Sequence, residues 1–302
     1  MITERAGSLV STDWLAKRLD SSHIRVLDAS WYLPNMYRNP IEEYEKKHIP
    51  NARFFDIDDI SDHRSDLPHM VPPVEKFMSK VRKLGVGDGH QVVIYDGLGM
   101  FSAARVWWLF KMMGHEDVAV LDGGLPKWIS DGFPVNDELP VIRDRHMMVD
   151  QVLAYLKDVT QVAAASKLGE YEIIDARSPG RFKGEENEPR EGLRKGHIPN
   201  SKNVFFKSLL NDNQTFKSKS ELKQMFDFAG VDISKPVITT CGSGVTAAVL
   251  NLGLELIGKT DHSLYDGSWT EWGMSPTLPV STGDQKLFLK TSRNRRLIRY
   301  SL

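Results

Sequence analysis

The sequence predicts an α/β protein built from two tandem copies of one domain, each a mainly parallel open sheet flanked by helices. Length gives the first ground, because 302 residues exceed a usual single core and suit two domains. The second is an internal repeat whose signposts recur in the same order in both halves. RVLDAS (Arg25 to Ser30) matches EIIDAR (Glu172 to Arg177), and KHIPNARFF (Lys47 to Phe55) matches GHIPNSKNVFF (Gly196 to Phe206). VVIYDG (Val92 to Gly97) matches VITTCG (Val237 to Gly242), and LDGGLPKW (Leu121 to Trp128) matches LYDGSWTEW (Leu264 to Trp272). Third, short apolar β-branched runs alternate with amphipathic stretches, the pattern of parallel strands joined by crossover helices.

Taken in order, RVLD reads as a strand, VEKFMSKVRKLG (Val74 to Gly85) as a helix, VVIYD as a strand and SAARVWWLFKMMG (Ser102 to Gly114) as a helix. DGFPVNDELP, with Pro134, Asn136, Asp137 and Pro140, breaks the periodicity and reads as linker. The boundary is therefore placed near residue 145, giving domains 1–145 and 146–285 and a basic tail 286–302. In the second half SELKQMFDFAG is the counterpart helix, PVITT the counterpart strand, and VTAAVLNLGLELIG the helix after it. The tail is read as a solvated end, since aromatics are not interleaved with its charges.

Composition narrows the function. Lys and Arg total 39 against 40 Asp and Glu, so no global field points to nucleic acid or a membrane surface. No apolar run is long enough for a signal peptide core or a bilayer span, which predicts a cytoplasmic protein. Cys241 is the single cysteine, which excludes an intrachain disulfide and a thiolate metal cluster. No metal or organic cofactor is expected.

Cys241 lies where a buried strand ends and a helix begins. Backbone N–H groups of Gly242, Ser243, Gly244 and Val245 are placed to face its sulfur, an arrangement that favours an anion. The thiolate is the nucleophilic form of cysteine, and glycines allow the tight curl. A lone cysteine is often just a small buried hydrophobe. Its place at the carboxyl end of a strand in an open α/β sheet, where such sheets bind ligands, argues instead for a reactive role.

DAR, GHIPN, a strand ending in cysteine and YDGSWTEW resemble the landmarks of a rhodanese domain, over about Leu9 to Pro279. CGSGVTA (Cys241 to Ala247) is similar to the active-site loop of the mercaptopyruvate branch of that superfamily. The resemblance implies two tandem rhodanese-like domains with the site in the cleft between them, the first domain inactive because Asp96 and Gly97 stand at the cysteine's place. It implies a sulfurtransferase: sulfur passes from 3-mercaptopyruvate through a Cys241 persulfide to a thiol acceptor such as thioredoxin or glutathione, or to cyanide, with release of pyruvate. The N–H groups of Gly242 to Thr246 would hold the persulfide.

Arg181 and Arg190, in GRFKGEENEPR, match the branch's substrate-binding arginines, whose planar forks suit a carboxylate and an oxo group. Without the match, they would read as weak surface ion pairs with the neighbouring glutamates. The resemblance also proposes a relay of Ser243, His69 and Asp58, the last two from the first domain. His63, with Asp59 or Asp62, lies close enough in sequence to substitute. His48 and His197 sit in the HIPN repeat of both halves and are read as structural, as are Asp28 and Asp175 at strand ends and Trp107 and Trp108 in an apolar helix.

Three alternatives are open. A thiosulfate sulfurtransferase is disfavoured because Gly242 and Ser243 stand where thiosulfate-preferring relatives have basic residues. A phosphatase or arsenate reductase would need an arginine closing the loop, where Ala247 stands. The third is a persulfide carrier without turnover of its own.

Overall fold

The computed structural model describes residues 7–284; the basic tail expected at 286–302 lies outside them. The first half contains β1 (Leu9–Val10), α1 (Thr12–Ala16), β2 (Ile24–Asp28), α2 (Pro40–Lys46), β3 (Arg53–Phe54), α3 (Val74–Lys83), β4 (Gln91–Tyr95), α4 (Ala103–Met112), β5 (Val118–Leu121) and α5 (Gly124–Ser130). The second contains β6 (Leu156–Lys157), α6 (Val159–Leu168), β7 (Glu172–Asp175), α7 (Pro179–Lys183), β8 (Lys202–Asn203), α8 (Lys219–Phe228), β9 (Val237–Thr240), α9 (Ala247–Leu256), β10 (His262–Tyr265) and α10 (Ser268–Met274).

Each half forms one sheet, ordered β1-β5-β4-β2-β3 and β6-β10-β9-β7-β8. Their strand pairs are all parallel. The two orders are the same order, as the sequence repeat requires. Parallel strands are covered on both faces, which is why β4 and β9 are buried residue after residue without alternation. Capping boxes at Asp158 with Gln161 and at Ser218 with Glu221 fix the starts of α6 and α8.

The two domains share one core. Every residue of α4 is buried, and α4 packs on α9 between the sheets, so a continuous apolar cluster runs from Leu27 to Leu264. A helix enclosed on all sides has no polar face to show, and SAARVWWLFKMM reads accordingly. Trp107 and Trp108 are in this core.

The segment from Asp131 to Tyr155 connects the halves and contains residue 145. It stays against the first domain: Asp88 N–H donates to His146 O at 2.9 Å, Met147 is buried, and Val152 N–H donates to Met112 O at 2.8 Å. Among the described residues, no helix is long and apolar enough to cross a membrane.

Candidate active site

In the second sheet the chain runs from β7 to its outer neighbour β8, then crosses to β9 on the other side. The carboxyl ends of β7 and β9 therefore flank the switch point at which open α/β sheets bind ligands. Cys241 follows β9 directly and is 2 % exposed. Its loop is clamped onto α10: Trp269 N–H donates to Cys241 O at 3.0 Å, and Thr270 donates to Gly242 O through both N–H (2.9 Å) and hydroxyl (2.7 Å). Gly244 has φ +77°, a conformation that favours glycine, and a Cβ there would crowd Arg105 Nη1 at 3.0 Å.

Arg181 and Arg190 converge on this loop from the segment after β7. A side chain at Gly242 would meet Arg181 Nη2 at 3.1 Å and Arg190 Nη1 at 3.9 Å. Arg181 is fixed by Glu188, which accepts from Nη2 at 2.6 Å and Nε at 3.2 Å. Glu188 also accepts from the buried Arg177 at 2.7 Å, and Arg177 bonds Asp175 in turn and lies over the Trp269 ring. Charge-assisted bonds of this kind hold a fork in one plane. Burial lowers the Arg190 pKa, while Cys241 nearby acts to raise it.

On the other side of the loop His69 Nδ1 lies 3.0 Å from Ser243 Oγ, and His69 Nε2 lies 3.1 Å from Asp58 Oδ1. With Nε2–H donating to the carboxylate, Nδ1 is left to accept from the hydroxyl. Trp31 Nε1–H donates to the second oxygen of Asp58 at 3.0 Å, and the Trp31 ring stands edge-on to His69. Partial burial would raise the Asp58 pKa, but the His69 and Trp31 bonds outweigh it and hold the carboxyl below its ordinary value. His69 is buried with φ 62°.

The neighbouring acids face elsewhere. Asp59 pairs with Lys80, Asp62 with Arg64, and His63 Nε2 lies 2.8 Å from Asp58 O. Of the alternatives that the sequence leaves open, the geometry brings Asp58 and His69 to Ser243. His48 and His197 bond backbone carbonyls at the HIPN turns and lie away from Cys241. Val245 and Thr246 line the cavity above the cysteine, and α9 begins at the next residue. Asp96 of the first half, at Cys241's equivalent position, is buried and accepts five backbone N–H groups of its own loop, from Leu98, Gly99, Phe101, Ser102 and Ala103.

The Rhodanese-like domain model matches residues 11–131 and 158–275. The chain belongs to the rhodanese family. It is 42 % identical over 297 residues to the mitochondrial thiosulfate/3-mercaptopyruvate sulfurtransferase 1 of Arabidopsis thaliana, covering 91 % of this chain and 78 % of that one. It is 42 % identical over 275 residues to the 3-mercaptopyruvate sulfurtransferase of Homo sapiens, covering 88 % and 92 %. The crystal structure of SseA from Escherichia coli, a 3-mercaptopyruvate sulfotransferase by its description, superposes with a TM-score of 0.81 at 38 % identity, covering 87 % of this chain and 99 % of that one.

Several residues of this rhodanese-family site escaped the sequence reading. Arg105, from α4 of the first domain, donates from Nη2 to Asp266 Oδ1 at 2.7 Å and to the carbonyl of His69 at 2.5 Å. Asp266 also accepts Val71 N–H at 2.7 Å, so one carboxylate of the second domain holds both flanks of His69 in place. The available signal was a charge within a largely apolar helix, since a buried arginine must be paired. Glu188 looked like one of a run of exposed acids, yet its side chain is 2 % exposed. Trp31 carried no motif at all.

Proposed function

We propose that this protein is a 3-mercaptopyruvate sulfurtransferase acting through Cys241. The observation that carries the reading is a thiol loop with two guanidinium groups on one side and a serine, histidine, aspartate chain on the other. Arg181 and Arg190 take the carboxylate and oxo groups of the donor. The Cys241 thiolate attacks the donor sulfur and the carbon–sulfur bond breaks with its electron pair on carbon. The donor's thiol proton passes through Ser243 and His69 to that carbon, releasing pyruvate and leaving a Cys241 persulfide anion. Asp58 holds the imidazole in the required tautomer. Backbone N–H groups of Gly242 to Thr246 supply the charge stabilisation, a role supported by the equivalent loop's hold on Asp96.

A thiol then takes the sulfur, thioredoxin and glutathione being the family's expected acceptors, with cyanide as the assay substitute. Neither step draws on a metal or organic cofactor, and the location is expected to be cytoplasmic. Thiosulfate is the second donor to consider, given the double name of the Arabidopsis relative. The uncharged Gly242 and Ser243 favour mercaptopyruvate over a dianion. The test compares kcat/KM for the two donors and looks by intact mass for one added sulfur. Mercaptopyruvate preference with that mass, lost in Cys241→Ser, is expected. Equal use of both donors would remove the specificity argument, and no turnover would leave a carrier.

A further inference from the structure

The cavity above Cys241 has a volume of about 450 Å³. At roughly 30 Å³ per non-hydrogen atom, water's share of its liquid and a generous figure for a covalent molecule, mercaptopyruvate fills less than half of it. The remainder has a different chemistry. Its apolar lining is Trp31, Leu33, Met36, Leu98 and Phe101 of the first domain, joined by Phe206. Trp31 and Phe101 stack with rings 8° from parallel, and Phe206 stands edge-on to Phe101. The Trp31 N–H is already bonded to Asp58, so these residues offer ring faces and methyl groups, while Lys207 and Gln214 are the polar side chains that line the cavity beside them.

Resting on the sulfur transfer proposed above, we infer that this wall is the acceptor subsite and that it selects thiols carried on a small aromatic or apolar body over hydrophilic thiols. Apolar surface on such a body is removed from water against a wall that is already assembled, which adds affinity without reordering the protein. The wall is held by the residues that hold the relay, because Trp31 touches both His69 and Asp58. The acceptor sulfur attacks the outer sulfur of the Cys241 persulfide anion, and a new sulfur–sulfur bond forms. The bond to Cys241 breaks with its electron pair returning to the cysteine. The acceptor's proton moves to the transferred sulfur, so persulfide anion and thiol give Cys241 thiolate and a neutral hydropersulfide.

The test separates the half-reactions. The full chain is loaded with 3-mercaptopyruvate, the added sulfur is verified by intact mass, and its discharge is timed with phenylmethanethiol and with 2-mercaptoethanol. Phenylmethanethiol is expected to discharge the persulfide faster by about tenfold, the worth of one partly buried ring. Met36→Ser and Leu98→Ser should each shrink that ratio several-fold. A ratio taken within one preparation is insensitive to how much of a variant is folded. Equal rates, or a ratio unmoved in both variants, would overturn the subsite. Failure of the donor to load Cys241 would overturn the sulfurtransferase reading itself, and the mass measurement tells the two apart.

Discussion

The two halves share a fold, yet they treat the same loop in opposite ways. After β4 the loop closes on the Asp96 carboxylate, which takes five N–H groups at 2.8–2.9 Å. After β9 the equivalent residue is Cys241, and the place taken by a fixed anion is given to a sulfur that can come and go. The difference continues across the interface. His69 and Gln214 occupy equivalent left-handed positions, with φ 62° and 66°. His69 reaches the hydroxyl of Ser243, whereas Gln214 only closes over Gly99, beside the Leu98 that replaces the serine.

The acids behind these loops follow the same symmetry. Asp266 accepts the N–H of Val71 and Asp122 that of Phe216, each from the opposite domain. Arg105 neutralises Asp266, while its counterpart Leu250 gives Asp122 no such partner. Burial then raises the Asp122 pKa to about 6, against the opposing pull of the Phe216 N–H and Lys127. The lesson is that duplication supplied the scaffold twice, and a few substitutions around one loop decided which copy does chemistry.

The sharpest way to break this comparison is to copy the first loop into the second. Cys241→Asp should abolish sulfur transfer, by roughly 10⁴-fold or more, while leaving thermal unfolding close to that of the parent. An unfolded variant would mean that the two cradles are not equivalent. Next in size is His69→Gln, which copies Gln214. Persulfide formation followed by stopped flow should slow by about 10²–10⁴-fold, the usual range for a lost proton relay, and an unchanged rate would remove His69 from the mechanism.

Asp96→Ala attacks the other loop. It leaves several buried N–H groups without an acceptor, and denaturant unfolding should show a loss of about 3 kcal/mol or more. A change below about 1 kcal/mol would show that water replaces the carboxylate freely. The smallest effect is expected for Asp122→Asn. A carboxyl whose folded pKa is raised above its unfolded value weakens the fold when ionised, and that penalty disappears as pH falls from above 6 to about 4. Relative to the variant, the parent should therefore gain up to about 3 kcal/mol between pH 8 and pH 4. A stability difference independent of pH would show that Asp122 is not held as described.

Legibility followed the range of the interaction. The repeat, the parallel strands and the helices α3, α4, α8 and α9 were visible because apolar periodicity is local. The glycine-bearing Cys241 loop was visible because its glycines and its place after a strand are local, whereas Arg181 and Arg190 came only with the family resemblance. The choice of Asp58 over Asp59 or Asp62 was not, since neighbouring acids in one turn differ only in direction. Glu188 was misjudged and Arg105 passed over because a charged residue reads as exposed until its buried partner is known.

By itself the sequence determined the covalent means: one thiol, the glycines that let its loop curl, and two copies of a sheet able to present it. Only the tertiary structure decided which of the neighbouring acids and which buried charges complete the site around that thiol. His69 and Ser243 lie 174 positions apart, and they touch because α4 and α9 pack together and draw the two domains into one core. Patterns of a few residues encode local backbone preference, but a hydrogen bond between domains depends on how whole elements pack, and no short stretch of sequence contains that information.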